Sequence, residues 1–508
     1  MKLQRTKNAG RNIIFGGILK VYQIIVPFLI RTVMIYYLGI EYVGLNSLFT
    51  SILQVLNLTE LGVGSALVFS MYKPIAENDE ITICALMQLY KKYYRIIGTV
   101  ILVVGIAITP ILPRLIKGDV PDGMNIYVLF YLNLAATVLT YWLFSYKNSI
   151  LMAHQRTDVS SKIGIWVSTL EYILEFAALI FLRNYYLYLA VKILTQIIQN
   201  FLVSIFAEKI FPKYRAKGEL DPSIVKGINQ KVKDVFTAKV GGVIVNSADS
   251  IVISSFLGLS VLAIYNNYYY ILSSIIGFLT IGFNSCIAGI GNSLETESME
   301  KNYGDFKAFT MIVVWISGVC SCCLLCLYQP FMMWWLKDPQ AMFGMKEVVL
   351  LCIYFFVYEI VSIMIQYKDA AGMWHEDRFR PLITAGSNLI MNLATVQFLG
   401  IVGVLLSTVV SFAFIGIPWL IRNIFVVIFQ RSPMEYVKQL LLYVVVTVIA
   451  CAICYGLCQL VPWQGIGGLI VRGSICGIVS NGIFFVAYFH LQDFARAKSV
   501  FIKVVKRK

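Results

Sequence analysis

Long apolar stretches recur from one end of the chain to the other and predict a bundle of membrane helices. Fourteen runs of about 20 mostly apolar residues occur, the length at which a helix crosses a hydrocarbon core about 30 Å thick. The first run covers residues 13–38 and the last covers residues 466–490. Polar segments separate the runs, and the longest of them is 208–235. The pattern therefore predicts an all-α integral membrane protein with fourteen transmembrane helices.

Basic residues are distributed unevenly between alternate turns, and this predicts the orientation of the helices in the membrane. With the N-terminus inside, 33 of the 42 Lys and Arg residues fall in inside segments, five in outside loops and four within the runs themselves. Loops that are rich in Lys and Arg stay on the cytoplasmic side of a membrane. Both termini are therefore predicted to be cytoplasmic.

The composition agrees with a membrane protein and argues against nucleic acid as a partner. The 508 residues are 59% hydrophobic and 14% charged, with a net charge of +15. Such a charge would suit nucleic acid only on a soluble basic domain, and no soluble stretch here is long enough to form one. Membrane lipids are the expected partners instead. The basic tail from residue 494 and the segment 81–95 suit an anionic cytoplasmic leaflet, with a partner protein as the alternative.

Cysteine groups within the runs resemble metal or redox sites, but they predict neither. The groups are Cys320, Cys322, Cys323 and Cys326, and then Cys451, Cys454 and Cys458. Both lie in apolar runs, where cysteine behaves as a small hydrophobe, and one helix cannot supply the closed set of thiolates of a zinc site. No G-x-x-x-x-G-K-[ST] phosphate loop occurs. We therefore expect no metal, no cofactor and no ATPase activity.

A weak internal repeat divides the chain into two halves. Residues 38–45 (LGIEYVGL) match residues 257–264 (LGLSVLAI) at an offset of 219, and His154 falls on His375 at an offset near 221. Repeats with an even number of spans have the same orientation in the membrane. We expect a six-helix N-lobe at 1–215, a cytoplasmic linker at 216–235, a pseudo-symmetric six-helix C-lobe at 236–430, and two further helices with a basic tail at 431–508.

The first membrane helix carries two charged side chains on one face. Lys20 and Arg31 are eleven residues apart, three turns plus about 20°, and Gln23 and Pro27 complete the stripe. A charge at a helix centre costs at least ~2.5 kcal/mol, so such residues face protein or water rather than lipid. The repeat places Lys20 on Lys239. The alternative is that both cations of the first helix snorkel towards the headgroups.

Further polar residues within the spans complete the set of candidate site residues. The predicted substrate-binding cations are Lys20, Arg31, Lys239 and Lys192, and the predicted polar lining is Gln23, Asn46, Asn57 and Asn246. Glu60 and Asp249 are the candidates for coupling to H⁺ or Na⁺, with structural pairing to a nearby cation as the alternative. Structural pairing is favoured for Glu171 and Glu175, and Glu359 and Arg472 are the remaining buried ionisable groups.

Four motifs in the first part of the chain resemble one family of transporters. They are R-N-I-I-F-G from Arg11, Y-Y-L-G-I-E-Y-V-G-L-N-S-L-F at 36–49, E-L-G-V-G-S-A at 60–66 and Y-K-P-I-A-E-N-D at 72–79. Together they resemble the polysaccharide repeat-unit flippases (Wzx-like) of the multidrug/oligosaccharidyl-lipid/polysaccharide (MOP) exporter superfamily. The last 90 residues of the chain match that family only in hydropathy.

The resemblance implies an inverted-V, MATE/MOP-like fold of two six-helix lobes that works by alternating access. It implies a flippase for undecaprenyl-pyrophosphate-linked oligosaccharide repeat units in a bacterial inner membrane, serving capsule or exopolysaccharide biosynthesis, with a polysaccharide polymerase as a candidate partner. The superfamily also contains lipid II flippases, which have essential arginines in helix 1 and a lipid-tail groove formed with helices 13 and 14. Arg31 and the spans 438–460 and 466–490 match that pattern in kind.

Cations in a cavity fit such a substrate on physical grounds as well. An Arg side chain forks onto two phosphate oxygens, and positive charge lowers the cost of moving a pyrophosphate out of water. Within the superfamily, a drug/cation antiporter and a lipid II flippase stay open as alternatives. A membrane-embedded enzyme would need a long outside loop with paired catalytic residues, and the outside loops here are short. We therefore expect a transporter and not an enzyme.

Overall fold

Helices form every regular element of the described chain. The computed structural model describes residues 5–118, 120–284 and 287–498, and no strand occurs in these ranges. The chain divides into two compact units, Met1–Ala263 and Ile264–Lys508. The expected all-α membrane fold is thereby confirmed, whereas the lobe limits that the sequence suggested stay a prediction.

Nine helices and the start of a tenth lie in the described part of the first unit. They are α1 (Arg5–Tyr37), α2 (Ile40–Leu56), α3 (Val63–Glu77), α4 (Glu80–Ile108), α5 (Ile126–Trp142), α6 (Asn148–Ala153), α7 (Thr157–Ile180), α8 (Tyr185–Ile210), α9 (Pro222–Leu257) and α10 (Leu259–Asn284). Asn125 and Asp221 accept hydrogen bonds from the first amides of α5 and α9, at 3.0 and 2.7 Å. Short polar side chains at this position satisfy amides that the helix itself leaves unpaired. The polar turns thus set where these spans begin.

The described part of the second unit contains nine further helices, arranged around one central helix. They are α11 (Ile287–Thr296), α12 (Met299–Leu336), α13 (Met345–Ala370), α14 (Trp374–Asp377), α15 (Arg380–Leu399), α16 (Ile401–Val410), α17 (Ile417–Asn423), α18 (Met434–Gln459) and α19 (Gly465–Tyr488). π-Helical turns, Ser411–Gly416 and Ile424–Phe429, precede and follow α17. The central helix is α12, which packs against α13, α18 and α19. Its Phe306 ring stacks on Tyr436 of α18, with the ring centroids 4.9 Å apart.

The number of membrane spans falls slightly short of the expected fourteen. In the described part of the chain, twelve helical stretches are long and apolar enough to cross a membrane, or up to thirteen if the bent pair Ile126–Trp142 and Ser145–Ala153 counts as one span. The chain is therefore a multi-pass membrane protein, but the count of fourteen is not confirmed. The other missing span is α10, which has 26 residues but carries the polar run 265–270 (YNNYYY) in its first half.

The second span is broken near its middle. α2 and α3 belong to one stretch, Ile40–Glu77, but a 3-10 turn, Asn57–Glu60, separates them. Gly62 follows this turn with φ 88° and ψ −21°, a left-handed conformation that favours glycine. A Cβ atom on Gly62 would also lie 2.9 Å from the Val232 carbonyl oxygen of α9. The break therefore needs glycine both for its backbone angles and for the close approach of α9.

The internal repeat is visible in the backbone angles of two turns. Gly39, between α1 and α2, has φ 121° and ψ 163°, and Gly258, between α9 and α10, has φ 99° and ψ 173°. Only glycine adopts this region without strain. The two glycines are separated by the same offset that relates the two sequence segments. Equivalent turns of the two halves thus have the same geometry.

Buried ion pairs repeat at this offset too. Asp158, at the start of α7, is completely buried and accepts a hydrogen bond from Arg156 Nε at 2.9 Å. Its counterpart Asp377, just before α15, is 3% exposed and accepts hydrogen bonds from Nε and Nη2 of Arg380, at 2.7 and 2.8 Å. Charge-assisted pairs of this kind are strong and geometrically specific. They fix the corresponding turn in each half.

Candidate functional site

The charged stripe of α1 is not used to pack that helix on its main neighbour. Tyr22 OH donates a hydrogen bond to Thr169 Oγ1 of α7 at 3.0 Å. Lys20 and Gln23 are exposed, and Arg31 is half-buried. The first two residues of the predicted stripe therefore stay on accessible surface, while Arg31 enters the protein.

Arg31 lies in a cluster of charged and aromatic side chains in the first unit. Tyr188 of α8 interacts electrostatically with Arg31 and with Glu171 and Glu175 of α7. Lys192 Nζ lies 4.4 Å from the centroid of the Tyr188 ring, and its charge also acts on both glutamates. Two of the predicted cations, from helices distant in sequence, therefore share one tyrosine.

Glu175 is the most buried acid of this cluster. Its side chain is 2% exposed, and its Oε1 atom has no hydrogen-bond partner among the described residues. A carboxylate that is buried without a hydrogen bond is costly, so the nearby charge of Lys192 is its main compensation. The sequence favoured a structural role for the glutamate pair, but buried ionisable groups of this kind mark functional sites in membrane proteins.

Asn57 and Glu60 lie at the break in the second span, among tyrosines of α4 and α5. Tyr94 OH donates to Glu60 Oε1 at 2.7 Å, and Tyr90 OH donates to Tyr94 OH at 3.0 Å. Tyr141 OH donates to Asn57 Oδ1 at 3.1 Å. Broken helices often form the binding sites of transporters. The structure therefore brings two predicted residues together and adds three tyrosines that the sequence analysis missed.

The predicted polar residues of α9 lie partly in buried contacts with α2. Asp249 is 4% exposed, and buried Ser247 donates a long hydrogen bond of 3.4 Å to Gln54 Oε1 of α2. The side chains of Lys239 and Asn246 lie outside the described residues. Asp249 is thus packed inside the first unit, unlike Lys20 and Gln23 of α1.

The turn between α1 and α2 touches the turn between α9 and α10 within the first unit. Ser260 Oγ donates to Glu41 Oε1 at 3.4 Å. A Cβ atom on Gly44 would lie 2.1 Å from the Leu259 carbonyl oxygen, a distance that real Cβ atoms do not reach. Asn46, which follows in α2, is half-buried. The two turns meet through their backbones, and no side chain fits between them.

An apolar groove of about 870 Å³ lies in the second unit, between α13, α17 and α18. Aliphatic and aromatic side chains such as Phe356 and Leu441 form its walls, and Arg422 and Arg431 are its charged lining residues. The resemblance implied a tail groove formed with both of the last two spans. α18 lines this groove, whereas no described residue of α19 does. The groove is therefore largely apolar apart from these two guanidinium groups, and that of Arg431 is paired with Glu300 at 2.7 Å.

The two remaining buried ionisable residues of the second unit differ in their surroundings. Glu359 of α13 is completely buried, and neither carboxylate oxygen has a hydrogen-bond partner among the described residues. Arg472 of α19 donates to the carbonyl oxygens of Cys458 and Val461, at 3.4 and 2.9 Å. Arg472 thus pairs one carbonyl of the last turn of α18 and one just after the helix ends at Gln459. Glu359 carries an unpaired polar group in the middle of its span, where such groups indicate function.

Comparison with known proteins gives relatives at low sequence identity. No protein-family model matches the chain. An uncharacterized membrane protein, MJ1068, of Methanocaldococcus jannaschii is 22% identical over 332 residues, which are 63% of this chain and 61% of that protein. The match therefore spans less than two thirds of that relative.

Solved structures show the same architecture. The lipid II flippase MurJ in an inward closed conformation has a TM-score of 0.67 at 15% identity, covering 94% of this chain and 99% of its own. A multidrug resistance MATE family transporter matches in its inward-facing conformation with a TM-score of 0.61 at 13% identity, covering 80% of this chain and 97% of its own. An outward-facing conformation of such a transporter has a TM-score of 0.54 at 13% identity, covering 83% and 96%.

The chain therefore has the same fold as the flippase MurJ and a MATE family transporter of the MOP superfamily. Its neighbours in structure are transporters and not enzymes. Within this class, the lipid II flippase MurJ matches over a larger share of the chain than the two MATE structures do.

Proposed function

We propose that this protein is a flippase that moves undecaprenyl-pyrophosphate-linked oligosaccharide repeat units across the bacterial inner membrane, for capsule or exopolysaccharide biosynthesis. The observation that carries the proposal is the apolar groove with Arg422 and Arg431 in its lining. Burial in such a groove favours an apolar lipid tail, while guanidinium groups favour phosphate oxygens. A lipid with an anionic headgroup fits both parts.

The predicted orientation supports this assignment. With both termini cytoplasmic, the turn that contains Arg431 faces the cytoplasm, the side on which such a substrate is made. Lys20, Arg31, Lys239 and Lys192 then supply further positive charge for the pyrophosphate, and Gln23, Asn46, Asn57 and Asn246 supply hydrogen-bonding groups for the sugars. Transport proceeds by alternating access, as the fold suggests.

The proposal also covers the source of energy for transport and a protein partner. Glu60 and Asp249 remain candidates for coupling to H⁺ or Na⁺, and the incompletely paired Glu175 and Glu359 join them. A buried carboxylate changes its interactions strongly when it binds a proton or a cation. A polysaccharide polymerase is the proposed protein partner.

A lipid II flippase is the second candidate, and the share of the chain that matches supports it. The MurJ structure covers 94% of this chain, whereas the two MATE structures cover 80% and 83%. A drug/cation antiporter has weaker physical support. Arg422 in the groove lining would repel a cationic substrate, because like charges raise the energy of a bound ion, whereas the charge of Arg431 is offset by its ion pair with Glu300.

Transport by the purified protein in proteoliposomes tests the proposal directly. The probe is a fluorescent polyprenyl-pyrophosphate-linked N-acetylglucosamine, and the readout is its movement between leaflets. We expect transport by the wild type and at least about tenfold slower transport by Arg31→Ala, Arg422→Ala and Lys20→Ala, because a hydrogen bond to a charged group contributes about 1.5–3 kcal/mol. Lys226→Ala, an exposed cation of α9, is the matched control and should transport normally.

Complementation separates the three candidates. Restored surface polymer in a bacterium without its own repeat-unit flippase supports the proposal. Rescue of lipid II flippase depletion instead favours the second candidate. Export of a cationic dye that persists in Arg31→Ala and Arg422→Ala favours the antiporter. If the wild type moves neither lipid, the flippase proposal is wrong.

A further inference from the structure

Cysteines from three helices of the second unit meet in one buried cluster. They are Cys322, Cys323 and Cys326 of α12, Cys451, Cys454 and Cys458 of α18, and Cys476 of α19. The Sγ atoms of Cys326, Cys458 and Cys476 all lie within 4.8 Å of one another. The Cys458 and Cys476 sulfurs are 3.8 Å apart, and those of Cys322 and Cys451 are 3.6 Å apart. Considering each cysteine group on its own helix could not reveal this convergence.

The spacing of the three thiols matches a thiolate metal site. A sulfur ligand lies about 2.3 Å from a bound d¹⁰ metal ion, so three sulfurs around one ion in a plane are about 4.0 Å apart. The Cys458–Cys476 separation already has this size. Cys326, Cys458 and Cys476 are 4%, 4% and 0% exposed. Because α12, α18 and α19 pack against one another in pairs, their backbones hold the three ligands in place.

The ligand set selects a soft ion. Thiolates favour soft metals such as Cu(I) and Zn(II), whereas harder ions prefer oxygen ligands. A structural zinc site is closed by four ligands, and in the described part of the chain only the three cysteines form this group. Three sulfurs in an apolar environment suit Cu(I), which does not need a fourth ligand.

A cavity gives the cluster an entrance. It has a volume of about 780 Å³, and its lining includes Cys326, Cys458, Gln329 and Arg472, with exposed Lys337 at its border. Arg472 is fixed there by its hydrogen bonds to carbonyl groups at the end of α18. Its positive charge offsets the negative charge that a metal–thiolate complex brings into the protein.

We propose that Cys326, Cys458 and Cys476 bind one Cu(I) ion through their sulfur atoms, entered from the cavity beside Arg472. Each thiol that becomes a thiolate releases its proton to water in the cavity, and no electron is transferred. The bound ion links α12, α18 and α19 to one another. This inference is independent of the transported substrate.

Metal binding to the purified, reduced full-length protein tests the proposal. Cu(I) is supplied from a chelator buffer, and bound copper is measured by elemental analysis and by thiolate-to-copper charge-transfer absorption. We expect one Cu(I) ion per chain and a melting temperature raised by about 2–3 °C at about 100 times the dissociation constant. The triple variant C326S/C458S/C476S should lose both effects. Cys84→Ser, a buried cysteine of the first unit, should keep both.

Several results would overturn the proposal. These are copper binding that survives in the triple variant, loss of binding in Cys84→Ser, and tighter binding of Zn(II) than of Cu(I) under the same conditions. If the triple variant does not fold, X-ray absorption on the copper-loaded wild type decides, because it must show three sulfur neighbours and no nitrogen. A Cys458–Cys476 disulfide that forms in air, without metal binding after reduction, would also contradict it.

Discussion

At the scale of single residues, the sequence identified the charged candidates because they lie within apolar runs. It did not identify the side chains that surround them in the fold. Arg31, Lys192 and Glu175 stand out in the sequence because each is costly in a membrane. Their meeting around Tyr188 depends on the packing of α1, α7 and α8, which no local pattern contains. Tyr94 was missed for a related reason. A tyrosine in an apolar run resembles any other core aromatic until the fold shows that it donates to Glu60.

His154 gives a residue-scale prediction about pH. The ring lies in the turn between α6 and α7, beside Phe211 and Tyr214, with centroids 4.3 and 5.4 Å away. Burial lowers the pKa of His154 below its ordinary value of 6.5, because the charged form loses hydration. Above pH 6.5 the histidine is neutral in both folded and unfolded chains, and its contribution to stability is complete. Below this value the unfolded chain takes up the proton first, so stability falls.

The measurement is the apparent melting temperature in detergent from about pH 8 to about pH 5, the range in which histidine titrates. The wild type should lose stability on the acidic side. His154→Gln, which does not titrate, should show a smaller decrease over the same range. An equal decrease in both proteins would exclude His154 as a source of the pH dependence.

At the scale of helices and turns, the backbone angles of two glycines explain why the repeat was detectable. Gly39 and Gly258 occupy a region that other residues avoid, so sequence similarity persisted where geometry required it. The 3-10 turn Asn57–Glu60 could not be predicted in the same way. Its polar residues are compatible with a continuous helix, and the break depends on contacts between Gly62 and α9.

Gly44→Ala tests the contact between the two turns. The new Cβ atom would overlap the Leu259 carbonyl, whose backbone cannot retreat as a flexible side chain can. We expect the α9–α10 turn to move away from α2. In a Glu41→Cys/Ser260→Cys background, oxidation should form a cross-link, and Gly44→Ala should reduce its yield severalfold. Gly242→Ala, in α9 with no neighbouring atom of the described residues within 4 Å of the added Cβ, is the control and should leave the yield unchanged.

At the scale of the whole molecule, the sequence could predict a helical membrane protein with a repeat, since these follow from apolar runs and matched turns. The number of membrane spans was harder to predict from the sequence. α10 carries a polar run, and α5 and α6 form a bent pair of 46°, so hydropathy alone describes both poorly. The apolar groove depends on helices from different parts of the second unit. Only the folded chain could reveal it.

Replacing Asp158 and Asp377 by asparagine, one at a time, compares how much each buried ion pair contributes to stability. Asp377→Asn leaves Arg380, whose side chain is 7% exposed, without its buried counter-ion, while Lys368 keeps its ion pair with Asp369. Removing one partner of a buried pair costs about 3–5 kcal/mol. Asp158→Asn should cost less, because Arg156 and Lys162 are 21% and 41% exposed and can reach water. Melting temperatures in detergent should therefore fall further for Asp377→Asn.

The double variant adds a second comparison. The two sites lie in different compact units, and distant, independent sites have additive effects on stability. A combined loss much larger than the sum would contradict this independence. Glu77→Gln, which removes an exposed ion pair with Lys73, is the control and should change stability by about 0–1 kcal/mol.

The contact of α1 with α7 has a consequence for how the protein is made. α1 is synthesised before α7, and Lys20 and Arg31 oppose its release into lipid as a lone helix. The hydrogen bond from Tyr22 to Thr169 cannot form until α7 has emerged. Ribosomes add about 5–20 residues per second, so the interval between the end of α1 at Tyr37 and the end of α7 at Ile180 lasts roughly 7 to 30 s. Throughout that time α1 depends on the insertion machinery rather than on its own protein for a polar environment.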